Sequence, residues 1–201
     1  MSVALLFFLL FLHAVDVQAR DRGVCIEAAA GGGSDAAFDP DKELAPLTGR
    51  HQKLANAARL RAAGKFDKAD KEYEAAEKAL TDPELKLRVA YLRAGLSAEA
   101  GRLREAADRY LALAGRYVLL ADWCLYRAGN ALFELGEFEE SAGAFARVSG
   151  SFPRHSAARG MRCRAISRLG SPAATVVCVD SLSGPEADLL LLQARAALDA
   201  G

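Results

Sequence analysis

Cysteine is the residue type in this sequence with the greatest capacity for covalent or metal chemistry. The four cysteines are Cys25, Cys124, Cys163 and Cys178. None belongs to a Cys-x-x-Cys pair, so their spacing does not predict a zinc site. In an oxidising compartment, Cys163 and Cys178 could form a disulfide across the turn that contains Gly170. Four cysteines allow three pairings, and the alternative is that they are small buried apolar residues.

Motifs of the common catalytic sites are missing from the sequence. It has no Gly-rich phosphate loop with its Lys, no Gly-x-Ser-x-Gly turn and no His-Glu-x-x-His. His51 and His155 are far apart in the chain, and His155 follows Pro153 in a region where we expect a solvated side chain. The sequence therefore predicts a protein that is not an enzyme, with no catalytic residue, no metal and no cofactor.

Composition favours helices and excludes a charge-driven partner. Hydrophobic residues make up 52% of the chain and aromatic residues only 7%, and the abundant Ala, Leu, Arg and Glu are good helix formers. The 26 basic residues balance the 26 acidic ones, so no net charge directs the protein to nucleic acid or to an anionic membrane.

The N-terminal residues 1–19 have the pattern of a secretory signal peptide. An apolar run that is too short to span a bilayer is followed by Val17, Gln18 and Ala19, with small residues at the positions that a signal peptidase reads. We expect cleavage after Ala19, an exported periplasmic protein, and no membrane attachment after cleavage. The alternative is a buried N-terminal helix or a membrane anchor.

Residues 20–47 are predicted to form a flexible linker. They include an Ala- and Gly-rich stretch that is typical of flexible low-complexity sequence. Asp35, Asp39 and Asp41 surround Pro40, but their spacing does not match a calcium-binding loop. We therefore interpret these carboxylates as solvated.

A repeat occupies the rest of the chain. Gly64, Gly101, Gly136 and Gly170 are separated by 37, 35 and 34 residues, and each fits a turn between two helices. The first three are followed at fixed offsets by a small residue and then, four positions later, by an aromatic one. These pairs are Ala69 with Tyr73, Ala106 with Tyr110, and Ser141 with Phe145. The small residue lets two helices approach closely, and the aromatic ring fills the space beside it.

This pattern resembles the tetratricopeptide repeat family over residues 48–201. The resemblance implies an all-α, right-handed α-solenoid of about four to five helical hairpins. Thr175 and Val179 replace the small and aromatic residues after Gly170, so that hairpin matches less well. Pro185 to Ala200 reads as a further first helix with Gly201 at its turn, and we expect the chain to be truncated there. Helical hairpins unrelated to this family are the alternative.

The resemblance also implies a binding groove lined by the first helix of each hairpin. Counting back from the turn glycines places six residues in it: Trp123, Tyr126, Asn130, Arg164, Arg168 and Arg195. Arg164 and Arg168 are four residues apart, and their mutual repulsion would be relieved by an anionic ligand. The predicted ligand is therefore a protein, a peptide or a glycan-linked segment with acidic groups, and peptidoglycan is a further candidate. The alternatives are that these arginines pair with Asp188 or Glu134, and that Trp123 packs in the core.

A narrower similarity concerns the segment from Leu120 through Pro153. It resembles the helical region that precedes the catalytic domain of soluble lytic murein transglycosylases, and periplasmic repeat proteins of the cell envelope. Two functions follow as hypotheses. The first is a periplasmic adaptor that mediates protein–protein interaction in the cell envelope. The second is the peptidoglycan-guiding segment of such a transglycosylase, whose catalytic domain is absent from this chain.

Overall fold

A computed structural model describes residues 52–200. The predicted signal peptide and linker, and the ends of the predicted repeat domain, lie outside the described residues. Within the described part the protein contains only helices and no strands, which confirms the all-α class. A short 3-10 helix, Val118–Leu120, precedes α5. The nine α-helices in the described part are α1 Gln52–Ala62, α2 Phe66–Ala79, α3 Pro83–Glu99, α4 Leu103–Ala114, α5 Ala121–Leu135, α6 Phe138–Ala146, α7 His155–Arg168, α8 Pro172–Asp180 and α9 Ala187–Ala200.

The predicted turn glycines separate the helices of four hairpins. Hairpins 1 to 4 pair α1 with α2, α3 with α4, α5 with α6, and α7 with α8. Gly64, Gly101, Gly136 and Gly170 all have positive φ, between 68° and 82°, a conformation that a side chain strains. At Gly136, the amide of Glu137 donates to the carbonyl of Leu132 over 2.9 Å, as in a Schellman C-cap. The prediction of left-handed turns at these glycines is confirmed.

The small and aromatic residues after each turn are buried, as their spacing predicts. Ala69, Ala106 and Ser141 are fully buried, and so are their aromatic partners four positions later. The two helices of hairpin 3 approach closely, since a Cβ added to Gly129 would lie 2.8 Å from two ring carbons of Phe145. The Ser141 hydroxyl donates to the Gly129 carbonyl over 2.8 Å. Burial of these pairs therefore holds the two helices of a hairpin together.

Helices that are consecutive in the sequence pack against each other along the whole described chain. The main hydrophobic core runs from Leu54 in α1 to Ala158 in α7, and a smaller cluster lies between α4, α5 and α6. A third cluster is separate from both and has only three buried members, Cys163, Val179 and Leu189. The C-terminal helices therefore have much less apolar burial than the rest.

Ion pairs join hairpins 1 and 2. The Asp70 carboxylate on α2 accepts hydrogen bonds from Arg93 Nε at 2.9 Å and from Arg109 Nη1 at 3.0 Å. Arg93 also donates to Glu77 over 2.9 Å, and Arg109 pairs with Glu105. Partial burial alone would raise the pKa of Asp70, but the hydrogen bonds and charges of the two arginines lower it to about 2. This network fixes α2 against α3 and α4.

Candidate partner-binding site

The two aromatic residues predicted for the groove lie in the core. Trp123 is 6% exposed and Tyr126 is 3% exposed. The ring of Phe152 lies 5.1 Å from the Trp123 ring and 5.8 Å from the Tyr126 ring, between centroids. The Arg154 guanidinium lies 5.3 Å from the centre of the Trp123 ring. Both residues therefore pack inside the protein, and we remove them from the candidate binding surface.

The connection between α6 and α7 is what covers these rings. Asp122, in the first turn of α5, accepts hydrogen bonds from the amide and the hydroxyl of Ser149, at 2.8 and 2.5 Å. These bonds fix the connection so that Phe152 is buried. Nothing in the repeat spacing predicted that Phe152 would pack back against α5.

Arg164 has a structural partner. Its Nε donates to Asp188 over 2.9 Å, and its Nη2 donates to Glu186 over 2.6 Å. Burial works against the charge of Arg164, but these hydrogen bonds to the two carboxylates raise the pKa of its guanidinium. Arg164 therefore ties α7 to the start of α9, as in the alternative that pairs it with Asp188. It is not a free cation for a ligand.

Arg168 is exposed near the end of α7, and no carboxylate in residues 52–200 is within ion-pair distance of it. Its guanidinium lies 6.0 Å from the centre of the Phe138 ring, and that ring contacts Phe133 edge-on at 5.3 Å. A cation above an aromatic face is weakly stabilised there. Arg168 thus remains available, and the two phenylalanines beside it were not predicted as site residues.

Arg195 lies on the exposed face of α9. Leu191 precedes it by four residues and Leu198 follows by three, so helical spacing places all three on one side of the helix. Leu191 is 72% exposed and Leu198 is 83% exposed. No ion pair with a described carboxylate involves Arg195. We call these three residues the α9 face; it presents a cation between two apolar side chains.

Asn130, the remaining residue predicted for the groove, lies on α5 and is half-buried.

Metal-ligating and cysteine side chains are the remaining groups to place. Residues 52–200 contain no group of three His, Cys, Asp or Glu side chains placed to hold a metal ion. Cys163 and Cys178 form a disulfide. Cys124 is a buried thiol, and burial raises its pKa to about 12, so it is not a thiolate nucleophile at neutral pH.

Comparison with known proteins gives no relative. No protein-family model matches this chain, and neither the curated proteins nor the solved structures contain a significant match. The tetratricopeptide assignment therefore stays a prediction. None of the helices in residues 52–200 combines the length and the apolar character that a membrane span requires.

Proposed function

We propose that this chain is an exported adaptor of the tetratricopeptide type, a right-handed α-solenoid that binds a partner protein in the cell envelope. The observation that carries the proposal is the repeated hairpin construction. Three hairpins share a left-handed turn glycine, a buried small residue five positions later and a buried aromatic ring nine positions after the glycine. Repeats built this way cannot bury their apolar faces alone and stack into arrays whose surfaces serve for binding.

The disulfide supports the location. Disulfides form and persist in oxidising compartments such as the periplasm and are rare in the cytosol. Cys163 and Cys178 are joined across the α7–α8 turn with their Cα atoms 5.5 Å apart, within the usual range for a disulfide. This agrees with export through the signal peptide expected at residues 1–19.

The α9 face supports a partner of specific chemistry. Its two leucines are too exposed to contribute to the core, and Arg195 between them lacks a carboxylate partner among the described residues. An amphipathic segment that brings an acidic residue flanked by apolar side chains would bury the leucines and neutralise the arginine. The partner surface is therefore proposed to be apolar with a central Asp or Glu.

Photo-crosslinking in the cells that make the protein tests this proposal. A photoreactive amino acid at Leu191 and one at Leu198 are expected to give adducts with one and the same partner protein. Arg195→Glu is expected to lower the yield of this adduct about tenfold, equivalent to about 1.4 kcal/mol. Arg162→Glu is the matched control, because Arg162 is an exposed arginine on α7 without a carboxylate partner in the described part. It should leave the yield unchanged.

Two results would contradict the proposal. One is the absence of an adduct at both positions, and the other is an adduct whose yield does not respond to Arg195→Glu. Sedimentation of the purified protein with peptidoglycan tests the second hypothesis, the peptidoglycan-guiding segment. Wall binding that is equal for the native protein and for Arg195→Glu, together with no protein adduct, would favour that hypothesis.

A further inference from the structure

Hairpin 4 departs from the other three at the position that fixes its two helices. In hairpins 1 to 3 an aromatic ring, nine residues after the turn glycine, packs against the preceding helix. In hairpin 4 that position holds Val179, which is buried but smaller. The neighbouring residue Cys178 instead forms the disulfide with Cys163 on α7. A covalent bond therefore stands where the other hairpins have an aromatic contact.

Cys163, at the α7 end of this bond, stands at a repeat position that is buried in all four hairpins. Seven residues before the turn glycine lie Ala57, Ala94, Gly129 and Cys163, and each is buried. In hairpin 3 this position receives the Phe145 ring. Cys163 uses the same close approach of two helices to reach Cys178.

Besides the disulfide, α8 and α9 are held to α7 by a small apolar core, by the ion pairs of Arg164, and by hydrogen bonds from Arg159 Nη2 to the carbonyl and hydroxyl of Ser181. Their core is the cluster of Cys163, Val179 and Leu189, with three partly buried neighbours, Cys178, Leu182 and Leu192. Leu189 lies near Gly160, where an added Cβ would come within 3.3 Å of Leu189 Cδ1. The ion pairs of Arg164 involve Glu186 and Asp188, whose side chains are 58% and 55% exposed. Exposed carboxylates of this kind contribute little.

We infer that the Cys163–Cys178 disulfide is a redox-sensitive clasp that keeps α8 and α9 docked on α7. When it is intact, the C-terminal helices stay folded on a small core. When a dithiol reductant cleaves it, α8 and α9 open locally while α1 to α6 stay folded. The inference concerns the chain itself and does not depend on the identity of a partner.

The chemistry of opening is a thiol–disulfide exchange. One thiolate of the reductant attacks Sγ of Cys178, the half-buried end of the bond, whereas Cys163 is only 1% exposed. The S–S bond breaks, and the Cys163 sulfur leaves as a thiolate and takes up a proton. The second thiol of the reductant then attacks the mixed disulfide and releases Cys178. The reductant gives up two electrons and two protons and ends as a disulfide.

The expected size of the effect follows from loop closure. The two cysteines are 15 residues apart, and cross-linking a loop of this length shifts the equilibrium between folded and open chains by roughly 100-fold. Local unfolding of α8 and α9 is possible without unfolding of the rest when these helices form a cooperative unit of lower stability. Amides in α8 and α9 should report it directly.

Hydrogen exchange of the full-length protein tests the clasp. All samples carry Cys25→Ala, so that Cys25 cannot exchange with the disulfide. The oxidised protein is compared with the same protein in dithiothreitol and with Cys163→Ala/Cys178→Ala. In the last two, protection of amides in α8 and α9 is expected to fall roughly 100-fold, with protection in α1 to α6 unchanged.

Cys124→Ala provides the matched control. Cys124 is a buried cysteine of the main core and has no disulfide, so this variant should keep the response of α8 and α9 to dithiothreitol. Protection in α8 and α9 that changes less than about threefold on reduction would overturn the inference. Loss of protection along the whole described chain would also overturn it, because the disulfide would then stabilise the protein globally.

Discussion

Gly129→Ala is expected to destabilise the protein by about 2–3 kcal/mol, although alanine is the better helix former by about 1 kcal/mol. The new Cβ would lie 2.8 Å from Cε1 and Cζ of Phe145. The Phe145 ring has little freedom to move away, because it is 2% exposed and contacts the Tyr126 ring at 5.9 Å. Urea denaturation followed by circular dichroism measures the change in the free energy of unfolding.

Gly143→Ala is the matched control for this prediction. Gly143 lies inside α6, and a Cβ added there has no atom within 4 Å. This substitution should therefore stabilise the protein by about 0.5–1 kcal/mol. Phe145→Leu combined with Gly129→Ala should lose less stability than the sum of the two single changes, because the smaller side chain relieves the overlap. Similar effects of Gly129→Ala and Gly143→Ala would show that the helices of hairpin 3 are not in close contact.

Asp70→Asn is expected to cost about 2 kcal/mol at neutral pH. The substitution removes the negative charge between Arg93 and Arg109, whose side chains are 18% and 26% exposed and cannot turn fully to water. Glu77 and Glu105 still pair with the two arginines, which limits the loss. Glu140→Gln is the control. It removes an ion pair between Arg104 and the exposed Glu140 carboxylate, and it should cost much less stability than Asp70→Asn, because water screens exposed ion pairs.

The Asp70 carboxylate also makes the free energy of unfolding depend on pH in the acidic range. The pKa of Asp70 is lowered from 3.8 to about 2 in the folded protein, so its contribution is complete above about pH 4 and is lost as the pH falls toward 2. The difference in unfolding free energy between the native protein and Asp70→Asn should therefore shrink over this range. A difference that stays constant from pH 7 to pH 2.5 would mean that Asp70 is not held by the arginines.

Local patterns in the sequence predicted the hairpins well, because they depend on short spacings. The turn glycines and the buried small and aromatic residues are set by contacts within about fifteen residues of the chain. Hairpin 4 matched the pattern less well, with Val179 in place of an aromatic residue, and the structure places the disulfide beside that position. The hairpin that lacks the aromatic residue is therefore the one that has the disulfide.

The candidate site was harder to predict, because it depends on what covers each residue. Repeat spacing assigned Trp123 and Tyr126 to the groove, but it carries no information on the connection that buries them under Phe152. Arg164 and Arg168 are indistinguishable by spacing alone. Arg164 donates hydrogen bonds to two carboxylates near the start of α9, whereas Arg168 lies over an aromatic ring. The network of Asp70, Arg93 and Arg109 joins residues far apart in the sequence, and no local pattern indicates it.

The placement of Trp123 gives the protein a built-in optical reporter. It is the only tryptophan in the sequence, and its indole lies against Phe152 at the junction between hairpins 3 and 4. Detachment of α8 and α9 alone would leave its emission spectrum unchanged, whereas global denaturation would wet the indole and shift the emission to longer wavelength. Tryptophan fluorescence of the unlabelled chain can thus distinguish local detachment of α8 and α9 from global unfolding.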